Sequence, residues 1–147
     1  YKILLDPKIR CKYYVRASYG KLFRQYYQYG LWKVYVNRKH KAVTSVRQLI
    51  PPAFVLFLLT FPLIPLYVLF APFGKIIAMI WSVLFAGYIS GGVLAAMQQN
   101  AKPGQFPGVV FSFFLLHTGY GLGYLHGILK FLVLRKQPGH KESQLSR

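Results

Sequence analysis

The chain has 147 residues, 54% of them hydrophobic, and the apolar residues gather in its last two thirds, so a membrane protein is expected rather than a soluble domain. Charge is as lopsided, with 19 Lys and Arg against two acids, Asp6 and Glu142, and most of the cations lie before position 50. A basic half followed by apolar segments points to phospholipid headgroups or nucleotide phosphates as partners and away from nucleic acid. The single cysteine, Cys11, excludes an intrachain disulfide, and no His/Cys spacing suggests a metal.

Residues 2–16 alternate weakly and are rich in Ile, Leu, Tyr and Val, with Asp6-Pro7 as a turn signal, which predicts a short β element. Two short strands without a sheet are marginal in water. Residues 1–16 therefore read as the end of a cytosolic domain whose core lies N-terminal to them, and the chain as the C-terminal part of a longer protein.

From Ala17 to about His40 there is no proline, and Phe23, Tyr26, Tyr27, Gly30, Leu31 and Val34 recur at helical spacing. At about 100° per residue these fall on one face, while Lys21, Arg24, Gln25, Gln28 and Trp32 fall together roughly opposite. The pattern predicts a basic amphipathic helix lying in the membrane interface with its apolar face down. Tyr26 and Tyr27 would anchor it, and Trp32 would project with two amides and two cations. The following stretch, Asn37 to Gln48, reads as a juxtamembrane collar for anionic phospholipid. Helix and collar together make a region 17–49.

The transmembrane region is expected over 50–134, with spans near 50–70, 76–97 and 108–131, each long enough to cross about 30 Å of hydrocarbon. Pro62 and Pro65 stand inside the first and should kink it or turn it into a re-entrant hairpin. Residues 135–147 form a polar basic tail. Dense positive charge before Pro51 places the N-terminal part in the cytosol. Three full crossings, the favoured arrangement, would then leave the basic tail on the far side. A re-entrant first segment would keep both basic ends in the cytosol.

In the third segment, His117, Tyr120 and Tyr124 share a face, and Gly119, Gly123 and Gly127 make overlapping small-residue steps on a neighbouring one. Both suit helix packing. A polar group inside a span is also a functional candidate, so His117 and Tyr120 are candidates for contact with a lipid-borne acceptor.

Read in order, ILLDPKIRCKYYVRASYGKLFRQYYQYGLWKVYVNRKHK, then RQLIPPAFVL, then LLHTGYGLGYLHGIL, the chain resembles the C-terminal part of family 2 glycosyltransferases, especially the ExoA-type enzymes of bacterial polysaccharide synthesis. The resemblance implies a cytosolic nucleotide-sugar domain of α/β fold upstream, an interface helix, and then membrane helices in the cytoplasmic membrane. It implies a nucleotide sugar as donor and a lipid-linked or growing saccharide as acceptor. In processive relatives the interface helix carries a Gln, Gln/Arg, x, Arg, Trp motif. On this chain that frame is Gln28, Tyr29, Gly30, Leu31, Trp32, so the first and last positions match and the cation does not. Arg24, one turn before Gln28 on the same face, is the substitute candidate.

The residue types suit that chemistry. An indole packs on the C–H face of a sugar, amides such as Gln25 and Gln28 meet its hydroxyls in both senses, and a cation meets a diphosphate. The catalytic base and an Asp-x-Asp pair holding Mg or Mn would belong to the upstream domain. Neither is present in this chain, which by itself should be inactive and hold no metal or cofactor. The alternative is a small non-catalytic membrane protein whose basic amphipathic helix binds anionic lipid or an acidic partner.

Overall fold

The computed structural model describes residues 18–41, 45–98 and 102–137, and among these every regular element is helical. The expected β element falls outside them. The helix foreseen from periodicity is α1, Tyr19–His40. Ser18, extended at φ −144°, caps it through a side-chain oxygen that accepts from the Lys21 N–H at 3.3 Å. Lys41 closes it in the left-handed region at φ 52°. The last turn carries Arg38, Lys39 and His40, where cations oppose the negative end of the helix dipole.

The first apolar segment is broken into α2 (Ile50–Leu59), a 3-10 turn at Phe61–Leu63, and α3 (Ile64–Phe70). Pro62 and Pro65 each sit near the start of a new turn, where a missing N–H costs nothing. A tight bend then leads into α4 (Gly74–Gln98), and Gly74 lies against the Tyr67 carbonyl, where any side chain would collide. The third segment is α5 (Phe106–Gly127), continued by a π-helical turn at Ile128–Val133. Three helical stretches, Val46–Phe70, Gly74–Gln98 and Pro103–Val133, are long and apolar enough to cross a membrane, as a multi-pass membrane protein requires.

The principal packing is α1 against α5. The backbone of Phe23 lies over Gly119, that of Tyr27 over Gly123 and that of Leu31 over Gly127. Both series advance by four residues in the same direction, so the helices run parallel. The contact continues from Tyr19, whose ring meets Phe111 edge-on at 5.1 Å, to Arg38, whose Nη1 donates to the Phe131 carbonyl at 2.7 Å. Gly30 completes the seam from the α1 side, where a Cβ would collide with the Tyr120 carbonyl. Lacking side chains, these positions let two backbones approach closely, the arrangement small-residue steps permit between membrane helices. Gly121, on the opposite side of α5, does the same for Pro51 and Val55 of α2.

The apolar face of α1 is therefore covered by a helix rather than by lipid, and α1 runs alongside a helix long enough to cross the membrane instead of lying flat beneath the headgroups as its amphipathic pattern suggested. Gly30, Leu31 and Val34 are buried, and Leu31, Val34, Tyr124 and Phe131 form a core with Tyr35, Tyr120 and Ile128 packed around it. Periodicity located that face correctly. Periodicity does not carry the identity of what covers a face, and here the glycine row of α5 decides it.

Candidate functional site

The four residues singled out on α1 all lie away from the glycine seam. Arg24 is exposed; Gln25, Gln28 and Trp32 are partly buried. Gln25 donates through Nε2 to the Tyr29 hydroxyl at 2.7 Å, which holds its amide along the helix surface. Trp32 meets Tyr35 edge-to-face, with centroids 5.8 Å apart and planes at 88°. Tyr35 in turn lies 5.3 Å from Phe131 in the core. The indole is thus braced by its own helix while its backbone is held by the clamp between α1 and α5.

His117 and Tyr120 occupy a different place. With Tyr26, Pro51, Phe113 and Leu116 they line a cavity of about 190 Å³ between α1, α2 and α5. Tyr26, expected to anchor α1 in lipid, points into this cavity wall instead, and its ring also lies 5.5 Å from Tyr29. A larger cavity, about 310 Å³, opens between α4 and α5, and His117 and Phe113 line that one too. His117 thus stands at a partition between two apolar spaces.

The imidazole Nδ1 of His117 lies 2.8 Å from the Phe113 carbonyl and 3.3 Å from the Tyr88 hydroxyl. The carbonyl is the shorter partner and accepts only, so it selects the tautomer with the proton on Nδ1, leaving Nε2 as the ring's acceptor. Phe54 of α2 and Tyr88 of α4 also meet the His117 ring, at centroid distances of 5.9 and 5.6 Å. Tyr120 stacks on Tyr124 at 6.1 Å. Packing and an accessible polar atom coexist at this position.

Three polar links escaped the sequence reading. The Tyr27 hydroxyl, expected to face the membrane, is hydrogen-bonded to His126 Nδ1. Asn37, counted within the basic collar, is buried and donates through Nδ2 to Gln48 Oε1 at 3.2 Å and to the Tyr124 hydroxyl at 3.4 Å. Arg38 satisfies a carbonyl at the π-helical end of α5, where the last carbonyls have no partner within the helix. One signal was available for Asn37, since it shares the α1 face of Gly30 and Val34. Nothing in the sequence pairs it with Gln48.

Among the described residues no group of His, Cys, Asp or Glu could hold a metal ion, and none of these residues is acidic. The site offers a cation, amides, an indole and an imidazole. Set against known proteins, the chain matches no family model, no curated protein and no solved structure.

Proposed function

We propose that this chain is the membrane and interface portion of an inverting glycosyltransferase of bacterial polysaccharide biosynthesis, acting at the cytoplasmic face of the cell membrane. In the transfer, an acceptor hydroxyl oxygen forms a bond to the anomeric carbon of the donor sugar. The bond from that carbon to the nucleoside diphosphate breaks, and the diphosphate leaves with the bonding pair. The hydroxyl proton passes to a carboxylate of the upstream domain, which would also hold Mg or Mn. Arg24 would meet the diphosphate, Gln25 and Gln28 the sugar hydroxyls, and Trp32 a sugar face. His117 and Tyr120 would contact the lipid-linked acceptor.

The observation that supports this reading is the mounting of α1. Its backbone is fixed against α5 along the glycine row, while Arg24, Gln25, Gln28 and Trp32 stand on the other side of the helix. Binding groups on a rigid element lose less entropy on capturing a ligand than the same groups on a loop. The alternative is a non-catalytic membrane protein whose basic amphipathic helix binds anionic lipid or an acidic partner, and the sugar-transfer test below separates the two.

The test is sugar transfer by the full-length protein in membranes. Trp32→Ala should lower transfer at least tenfold with normal membrane insertion, and Arg24→Ala should raise the KM for the nucleotide sugar by a similar factor. Unchanged transfer in Trp32→Ala would return the indole to packing on Tyr35, and unchanged donor affinity in Arg24→Ala would remove the diphosphate contact.

A further inference from the structure

The two basic segments that sequence places on opposite sides of three crossings meet at one end of the fold. Because α1 and α5 run parallel, both finish at the same end, where Arg38 bonds to Phe131. Lys39 and Lys41 at the close of α1, and Arg135 and Lys136 after the π-helical turn, are all exposed. Arg47 joins them, since its neighbour Gln48 is tied to Asn37 of α1. No described residue is acidic, so no carboxylate within this set neutralises them.

The path of the intervening chain fits that placement. Helix α4 runs antiparallel to α5, since Tyr88 meets His117 while Gly92 lies against Val110. The start of α5 is at the far end, so α4 must begin at the basic end. Segment α2 to α3 therefore starts and finishes at the same end, and its contacts follow such a course. Pro51 meets Gly121, and Phe54 goes deeper, to Phe114, His117 and Tyr88. Phe57 and Phe61 then both lie against Trp81, and Tyr67 against Gly74.

At 1.5 Å per residue, Phe114, the deepest contact of Phe54, is about 25 Å along α5 from Phe131, and Trp81 is about 10 Å along α4 from Tyr88, back toward the basic end. The deepest point thus falls short of the roughly 30 Å of a hydrocarbon core. A broken helix at such depth needs its backbone satisfied within the protein. The Phe57 carbonyl at the break accepts from the Thr60 hydroxyl at 2.6 Å and from Trp81 Nε1 at 3.4 Å.

We infer that Lys39, Lys41, Arg47, Arg135 and Lys136 form a single cationic surface on one side of the membrane, that α2 and α3 enter and leave on that side, and that the surface binds headgroups of anionic phospholipid. Each cation near an anionic bilayer surface contributes about fivefold to binding, so the two chain segments together outweigh either alone. The flanking apolar helices make a lipid bilayer the fitting source of the phosphate, in preference to a nucleic acid. The inference does not depend on the glycosyltransferase reading.

Two measurements on the full chain test it. In a Cys11→Ser background, single cysteines are placed at Lys39 and at Arg135 (K39C and R135C), and sealed vesicles of known orientation are treated with a membrane-impermeant maleimide. Both should react from the same face; reaction from opposite faces would overturn the shared side and the re-entrant path. Next, protein in neutral detergent is titrated with micelles containing phosphatidylglycerol or phosphatidylcholine. Phosphatidylglycerol should bind at least tenfold more tightly, and the sets K39Q/K41Q/R47Q and R135Q/K136Q should each reduce that preference at least threefold. Equal binding of the two lipids, loss confined to one set, or tighter binding of a homopolymeric RNA than of phosphatidylglycerol would each overturn the single lipid surface. All five positions are exposed, so their neutral variants keep the packing of α1 on α5.

Discussion

Helices α1 and α4 of this protein have opposite relations between hydrophobicity and burial. Helix α1 carries charges at both ends, yet buries Gly30, Leu31, Val34 and Asn37. Helix α4 is almost wholly apolar, and its only buried residues are Gly74 and Ala96, while Met79, Val83 and Leu84 are more than half exposed. In a bilayer an apolar side chain gains nothing by leaving lipid for protein, so packing follows small residues and polar partners instead. The glycine row of α5 accepts α1 because backbone can meet backbone there. The outer surface of α4 is left for hydrocarbon.

The contrast can be broken most severely at Gly123. A Gly123→Leu substitution would drive a side chain into the Tyr27 carbonyl and should cost about 3 kcal/mol or more, as overpacking does at its upper range. Loss of α1 docking would be read as a large fall in thermal midpoint in detergent and as new proteolysis within α1. The same change at Gly91 of α4, where an added Cβ meets nothing within 4 Å among the described residues, should neither lower the midpoint nor open new proteolysis. If Gly123 and Gly91 respond alike, the seam between α1 and α5 is not what holds the fold.

A smaller effect is expected at the polar end of the seam. Among the described residues the buried Asn37 Oδ1 and Gln48 Nε2 atoms have no hydrogen-bond partner, so this pair is only partly satisfied. Asn37→Leu alone leaves the buried Gln48 Oε1 without its donor and should destabilise by about 1–3 kcal/mol in denaturant titration. The double variant Asn37→Leu/Gln48→Leu removes both desolvated amides and should recover most of that loss. A double variant as unstable as the single would mean that the amide pair contributes more through its shape than through its polarity.

The smallest effect sharpens the comparison from the side of α4. Gly91→Ala should stabilise by about 0.5–1 kcal/mol, because the site is open and alanine favours the helix. Gly119→Ala, whose Cβ would stand 2.9 Å from the Phe23 carbonyl, should destabilise instead. A thermal melt of the two variants gives the sign of each.

The sequence carried the helical elements closely. Spacing placed α1 within two residues of its observed start, and the three apolar runs correspond to α2 with α3, to α4, and to α5 with its π-helical extension. These were legible because helix periodicity, run length and proline position act within a few residues of chain. The polar face of Arg24, Gln25, Gln28 and Trp32 was legible for the same reason. The lining of the cavity by Tyr26, His117 and Tyr120 was not, since those residues come from distant segments that meet only through packing.

What the amino-acid order determined by itself is thus the set of helices, their breaks and the face of each that is apolar. What only the tertiary structure decided is which surface each face meets. Three glycines on successive turns of α5 cannot announce their partner, because a glycine row fits any helix that approaches closely enough. The parallel docking of α1 along that row put Arg38 beside Phe131 and brought two basic segments, remote in sequence, to one end of the molecule. Direction along a shared seam is a property of two helices at once, and no single stretch of sequence contains it.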